Sequence, residues 1–131
     1  MVPKGYSILL VDDEQDIVNS IKRWLQAGGF KVYGFANPLQ ALEHFQNNSD
    51  NIDLVLSDIR MRKMNGYELV KRIKAIRPET KVVFMTALET DLIELSKILP
   101  SITIDGFVSK PGRLENLVNT IESIFLTSSI G

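Results

Sequence analysis

ILLVDDE, at residues 8–14, is an unbroken apolar run cut off by three consecutive acids. Such a run suits a strand covered on both faces, as in a parallel sheet. A second pattern follows at once: Ile17, Val18, Ile21, Trp24 and Leu25 recur at helical spacing until Gly28-Gly29 stops them. This strand–turn–helix unit then repeats. Lys31 to Phe35 alternates polar and apolar residues, as a strand nearer a sheet edge does. Asn37-Pro38 is an N-cap followed by proline at the first helical position. Leu39, Leu42 and Phe45 form the inward stripe of the helix it opens, which frays into Asn47 to Asn51. Ile52 to Ser57 is another apolar run, closing on Asp58. Gly66 to Arg77 carries Leu69, Val70, Ile73 and Ile76 on one helical face, and Pro78 ends it. Lys81 to Thr86 is a further buried strand, and Leu92, Ile93, Leu95, Ile98 and Leu99 predict a helix that stops before Pro100. Phe107-Val108-Ser109 is a last short strand. Leu114, Leu117, Val118, Ile121, Ile124 and Phe125 mark the final helix, with Leu126 to Gly131 just beyond it and no effector domain expected to follow. Five strand–helix pairs predict a single α/β domain, a mostly parallel sheet with helices on both faces and right-handed crossovers.

Composition narrows the function. The 131 residues are one domain's worth of chain, and 44% hydrophobic with 24% charged is ordinary for a globular protein. Fifteen basic against sixteen acidic residues leave no basic excess for general nucleic-acid binding. The absence of cysteine excludes disulfides, thiolate metal sites and a thiol nucleophile, and a single histidine, His44, excludes any site needing two imidazoles. No signal peptide or membrane-length apolar run is present, so a cytoplasmic protein without membrane contact is expected.

In open parallel sheets ligands bind beyond the carboxyl ends of the strands. Here those ends carry Asp12-Asp13, Asp58, Thr86 and Ser109-Lys110. Three carboxylates brought together repel one another. A divalent cation with a preference for oxygen relieves this, and Mg²⁺ suits such a set. With the Lys110 ammonium it balances the three charges. A phosphoryl group added there would find donors in the metal, the lysine and the Thr86 hydroxyl, and a carboxylate can itself be the nucleophile. The constellation reads as an aspartate phosphorylated with metal help.

With these residues in view, the sequence resembles the receiver domain of two-component response regulators. The resemblance rests on ILLVDDE at 8–14, DLVLSDIRMRKMNGYEL at 53–69, VVFMTA at 82–87 and FVSKP at 107–111, and the domain it outlines spans residues 4–127. It implies a flavodoxin-like doubly wound sheet of five parallel strands in the order 2-1-3-4-5, with five helices. It also implies that Asp58 is the phosphoacceptor, and that Asp12, Asp13, Asp58 and the Arg60 backbone carbonyl are the Mg²⁺ ligands. Thr86 becomes the switch hydroxyl, helped by the Ala87 backbone N–H, and Lys110 the cation that pairs with phosphoryl oxygen. Phe107 takes the aromatic switch position, where without a hydroxyl it reports state only by packing. The Lys110-Pro111 bond is expected to be cis, a geometry that proline makes accessible. Gly66 is expected to permit a tight turn at the head of its helix.

Some positions depart from the family pattern. Arg60 and Leu88 stand where the family tunes acyl-phosphate hydrolysis. A guanidinium can pair with the phosphoryl group and exclude water, and Leu88 has no group to orient one, so slow self-dephosphorylation is expected. Leu99 to Ile104 replaces a small-residue turn, and Gly112 a bulky apolar residue.

The implied partners are a sensor histidine kinase or histidine phosphotransfer protein as donor and a downstream effector protein, with no direct nucleic-acid contact. Apolar residues around Leu92 and Ile102 leave room for a phosphorylation-dependent homodimer. The domain is expected to be a switch rather than an enzyme, with at most weak self-phosphorylation and autodephosphorylation. Two other readings compete: an Mg²⁺-dependent phosphohydrolase with an aspartyl-phosphate intermediate, and a degenerate receiver that only binds partners. The first usually needs an acid two residues after the nucleophile, where Arg60 stands; the second has no use for an intact set of Asp12, Asp13, Asp58, Thr86 and Lys110. Plainer structural roles fit the remaining residues: Trp24 as a core-edge aromatic, His44 as a surface residue, and the Leu92 to Leu99 stripe as core.

Overall fold

A computed structural model describes residues 5–86, 97, 103–109 and 114–130. The strands are β1 (Ser7–Val11), β2 (Lys31–Phe35), β3 (Leu54–Asp58), β4 (Lys81–Thr86) and β5 (Gly106–Ser109). They form one parallel sheet in the order β2-β1-β3-β4-β5. Four α-helices are found among the described residues: α1 (Gln15–Ala27), α2 (Pro38–Asn48), α3 (Gly66–Ile76) and α4 (Leu114–Ile130). The topology is the flavodoxin-like one expected. The helix predicted from Leu92 to Leu99 falls outside the described residues except for Lys97.

The two-residue period of a strand sorts the core into layers. Ile8, Leu10, Leu54, Leu56, Val83 and Met85 point to one side, where α1 supplies Val18, Ile21 and Leu25 and α4 supplies Leu117, Ile121 and Phe125. Leu9, Val11 and Val55 point to the other, against Ala41, Leu42 and Phe45 of α2 and Leu69 and Ile73 of α3. A third group, Ile59, Val70, Val82 and Phe84, extends this second side beneath α3. All five residues of β1 and of β3 are buried, which is why the apolar stretches Ile8–Val11 and Leu54–Leu56 within them are continuous. Edge strand β2 alternates at its start, with Lys31 exposed, Val32 buried and Tyr33 exposed. Gly34 lets α1 lie close to this strand, because a Cβ there would sit 2.7 Å from Val18 Cγ1.

Local capping follows the sequence. Asn37 Oδ1 accepts the Leu39 N–H at 2.9 Å with Pro38 at N1, and Asn65 Oδ1 accepts the Glu68 N–H at 2.9 Å at the head of α3. Two further aspartates lock the opposite ends of the strands. Asp53 Oδ2 accepts the Ser7 N–H at 2.8 Å while its own N–H donates to Ser7 O at 2.9 Å. Asp105 makes the same reciprocal pair with Val82, both bonds at 2.8 Å.

Several expectations need correction. Leu39 is not on the inward stripe of α2; it is 47% exposed, and Pro38 and Ala41 join Leu42 and Phe45 in facing the core. Ile76, the last residue of α3, is exposed. His44 is not a surface residue: it is half-buried between Tyr33 and Phe35, with ring centroids 4.9 and 5.2 Å away, and its Nε2 is buried without a hydrogen-bond partner. The last helix runs through to Ile130 rather than ending near Leu126.

Candidate functional site

Strand register brings the site together. Val11 lies beside Ser57, so Asp12 and Asp58 stand level at the ends of neighbouring strands. By alternation, Asp12 shares the face of Ile8 and Leu10, and Asp58 that of Leu54 and Leu56. The sheet continues the alignment: Asp58 pairs with Met85, and Thr86 with Ser109. The expected edge is therefore real at the level of the backbone.

Carboxylate oxygens of Asp12, Asp13 and Asp58 all lie within 4.8 Å of one another. Asp12 and Asp58 are buried and Asp13 half-buried. Each is anchored through one oxygen by a backbone N–H. Asp12 Oδ1 accepts from Glu14 at 2.9 Å, Asp58 Oδ1 from Ile59 at 2.9 Å, and Asp13 Oδ2 from Arg62 at 3.3 Å. The first bond also assigns the acids their structural work. Glu14 is the N-cap of α1 but makes no side-chain cap bond, while Asp12, two residues earlier, takes up the Glu14 N–H. Ser57 Oγ donates to the Asp58 carbonyl at 2.8 Å.

The loop from Ile59 to Asn65 runs beside the acidic group and meets it where Arg62 contacts Asp13. Met64 N–H donates to Arg62 O at 2.7 Å around Lys63, whose φ is +69°, which makes a γ-turn of the rare handedness. Gly66 N–H then closes the loop on Ile59 O at 2.8 Å. A Cβ on Gly66 would collide with the Asp58 carbonyl oxygen and reach 3.0 Å from Ile59 Cα, so this glycine serves close approach to the strand that carries Asp58. Its φ is not in the left-handed region. A cavity of about 420 Å³ opens beside the acids, lined by Asp13, Arg60, Arg62, Asn65 and Tyr67 among others.

The carboxylate set fits a small, hard divalent cation: oxygen donors only, converging from two strand ends and already oriented by backbone bonds. Among the other expected site residues, Phe107 stands on β5, 51% exposed. Thr86 ends β4, but its side chain lies outside the described residues, as do Ala87, Leu88, Lys110, Pro111 and Gly112. Sequence reasoning missed Arg62, whose contact with Asp13 spans 49 positions and has no local signature.

Comparison with known proteins agrees with this geometry. The family model for the response regulator receiver domain matches residues 8–122. The response regulator receiver protein CpdR of Brucella abortus is 33% identical over 92% of this chain and 98% of its own length. The sensor kinase CckA of the same organism is 30% identical over 90% of this chain but only 12% of its length, and the chain spans 49% of the Staphylococcus aureus response regulator SaeR. A receiver domain protein from Clostridium thermocellum superposes with a TM-score of 0.87 at 26% identity, covering 95% of this chain and 98% of that one. The response regulator TrrA of Thermotoga maritima, solved in complex with Mg²⁺–BeF, gives a TM-score of 0.78 at 29% identity over 91% and 98%. Acids at the carboxyl edge of a 2-1-3-4-5 sheet and a family match over most of the chain lead to one conclusion: the chain belongs to the response regulator receiver domain family.

Proposed function

We propose that this domain, spanning residues 4–127, is a phosphorylation switch with Asp58 as the phosphoacceptor. The observation that carries the reading is the group of three backbone-anchored carboxylates at the ends of adjacent central strands. A Asp58 carboxylate oxygen attacks the phosphorus of a phosphohistidine on a sensor kinase or phosphotransfer protein. A P–O bond forms, the P–N bond breaks, and the donor histidine leaves as neutral imidazole, keeping the proton already held on its other ring nitrogen. Asp12, Asp13, Asp58 and the Arg60 carbonyl would hold Mg²⁺, which supplies neutralising positive charge at the phosphoryl oxygens. The likeness to TrrA, solved with Mg²⁺–BeF, supports this ligand class. Thr86, the Ala87 N–H and Lys110 are proposed as the remaining phosphoryl contacts, with a cis Lys110-Pro111 bond placing the lysine. Phe107, exposed on β5, is proposed to move inward with Thr86 and so alter the surface offered to an effector protein. Turnover is confined to weak self-phosphorylation and slow hydrolysis governed by Arg60 and Leu88, within the cytoplasm.

Intact-mass measurement after incubation with Mg²⁺ and acetyl phosphate tests the reading. One phosphoryl group is expected on the wild type, none on Asp58→Asn and none with a chelator, and the adduct should outlast seconds. Acetyl phosphate turned over continuously without an adduct would instead indicate a phosphohydrolase. Modification that survives Asp58→Asn would remove Asp58 from its role.

A further inference from the structure

Arg62 touches the acidic group twice, through unlike atoms. Its backbone N–H donates to Asp13 Oδ2 at 3.3 Å, and its side-chain Nε stands 3.9 Å from the same oxygen. The backbone contact is set by the chain, since the γ-turn at Lys63 fixes the direction in which residue 62 faces. The side-chain contact is not: the Arg62 side chain is 93% exposed, against 21% for Asp13. Space lies on both sides of the pair. Asp13 and Arg62 line the cavity of about 420 Å³ and also a second of about 200 Å³ bounded by Asn37, Pro38 and Lys63. The guanidinium therefore has room to leave Asp13 without disturbing the loop, and an ion pair so exposed holds it only weakly.

We propose that Arg62 is a positioning residue with two opposed effects on the cation site: its N–H orients the Asp13 carboxylate, and its guanidinium competes with a divalent cation for that carboxylate. The inference rests on the reading of Asp12, Asp13 and Asp58 as the Mg²⁺ ligands. A bound cation draws on the negative charge that the guanidinium neutralises in its absence, so binding must displace or share that partner. The competition lowers cation affinity while leaving the orientation of the ligand intact. Because Arg62 is in water, the penalty is sensitive to salt.

Calorimetric titration of the full, unphosphorylated chain with MgCl₂ separates the two effects. Arg62→Ala keeps the N–H and removes the charge, and should tighten Mg²⁺ binding about two- to fivefold at low ionic strength. The gain should fade at about 0.5 M salt, where exposed charges are screened within a few ångströms. Arg62→Lys should restore most of the wild-type affinity, and Lys63→Ala, which removes the next cation along the loop, should change it less than Arg62→Ala does. Unchanged or weaker binding in Arg62→Ala, or an equal gain in Lys63→Ala, overturns the proposal while the metal site stands. A wild type that binds Mg²⁺ no better than Asp13→Asn overturns the metal assignment, and this inference with it.

Discussion

At the scale of single residues, Gly66 is the position where the site and the fold constrain each other most closely. A methyl group there meets the backbone of Asp58 and Ile59 rather than a yielding side chain. Gly66→Ala should therefore cost about 1–3 kcal/mol of stability, as overpacking against a fixed neighbour does, read from the urea midpoint. Because the displaced atoms belong to the strand end bearing Asp58, acyl-phosphate formation should fall with it. A tight turn was expected at this glycine, yet the turn falls at Lys63, and Gly66 is needed instead for close approach to a strand end eight residues earlier, which leaves no local mark. His44 teaches a similar lesson. A histidine on a helix away from the acidic edge reads as solvent-facing, yet its ring packs near Tyr33 and Phe35 of β2 and its Nε2 is buried. Asp12, Asp13 and Asp58 were legible because charge at the end of an apolar run is conspicuous in one dimension.

Among elements, the joint after α3 depends on Arg77. Its Nη1 donates to the carbonyls of Ser49 at 2.7 Å and Ile52 at 2.9 Å, and its Nε to Glu79 Oε1 at 2.9 Å. One guanidinium thereby ties the end of α3 to the 3₁₀ turn Ser49–Asn51 that leads into β3. Arg77→Ala should lower stability by about 1–3 kcal/mol, since two partly buried carbonyls lose a charged donor. Arg77→Lys should recover only part of it, lacking the planar fork, and thermal unfolding of the two variants checks both. Lys74 works beside it, donating to Thr80 O at 2.7 Å. Burial holds its ammonium below the usual lysine range, Lys81 adds to the shift, and Asp105 opposes it. Helix spacing in the sequence located α1, α2 and α3 but not which of their apolar residues face the core. Leu39 keeps a three-residue spacing with Leu42 and Phe45 yet lies off the face that Pro38, Ala41, Leu42 and Phe45 bury, and Ile76, the last residue of α3, is exposed. Thr127-Ser128-Ser129 is poor helix-forming sequence, and α4 nonetheless continues through it.

Over the whole molecule, five strands and their two packed faces agree with what the alternation of apolar runs and helical stripes implied, while their order agrees with what the family resemblance implied. The carboxyl edge was equally readable, because a parallel sheet points all its strand ends the same way. What one dimension hides is lateral: which loop folds over which acid, and hence the Arg62–Asp13 contact. Strand β3 has one property whose effect reaches beyond the site. It is the middle strand, paired on both sides, and every residue in it is buried. Its amides have no local route to solvent, so deuterium should enter Leu54 to Asp58 only when the entire chain opens. An assigned exchange map should rank these amides among the slowest, and faster uptake there than in edge strand β2 would contradict the layering. A charge or ligand held by Asp58 is thus anchored to the last part of the protein to come apart. Its grip should be felt as slower exchange throughout the sheet, in residues that never touch it.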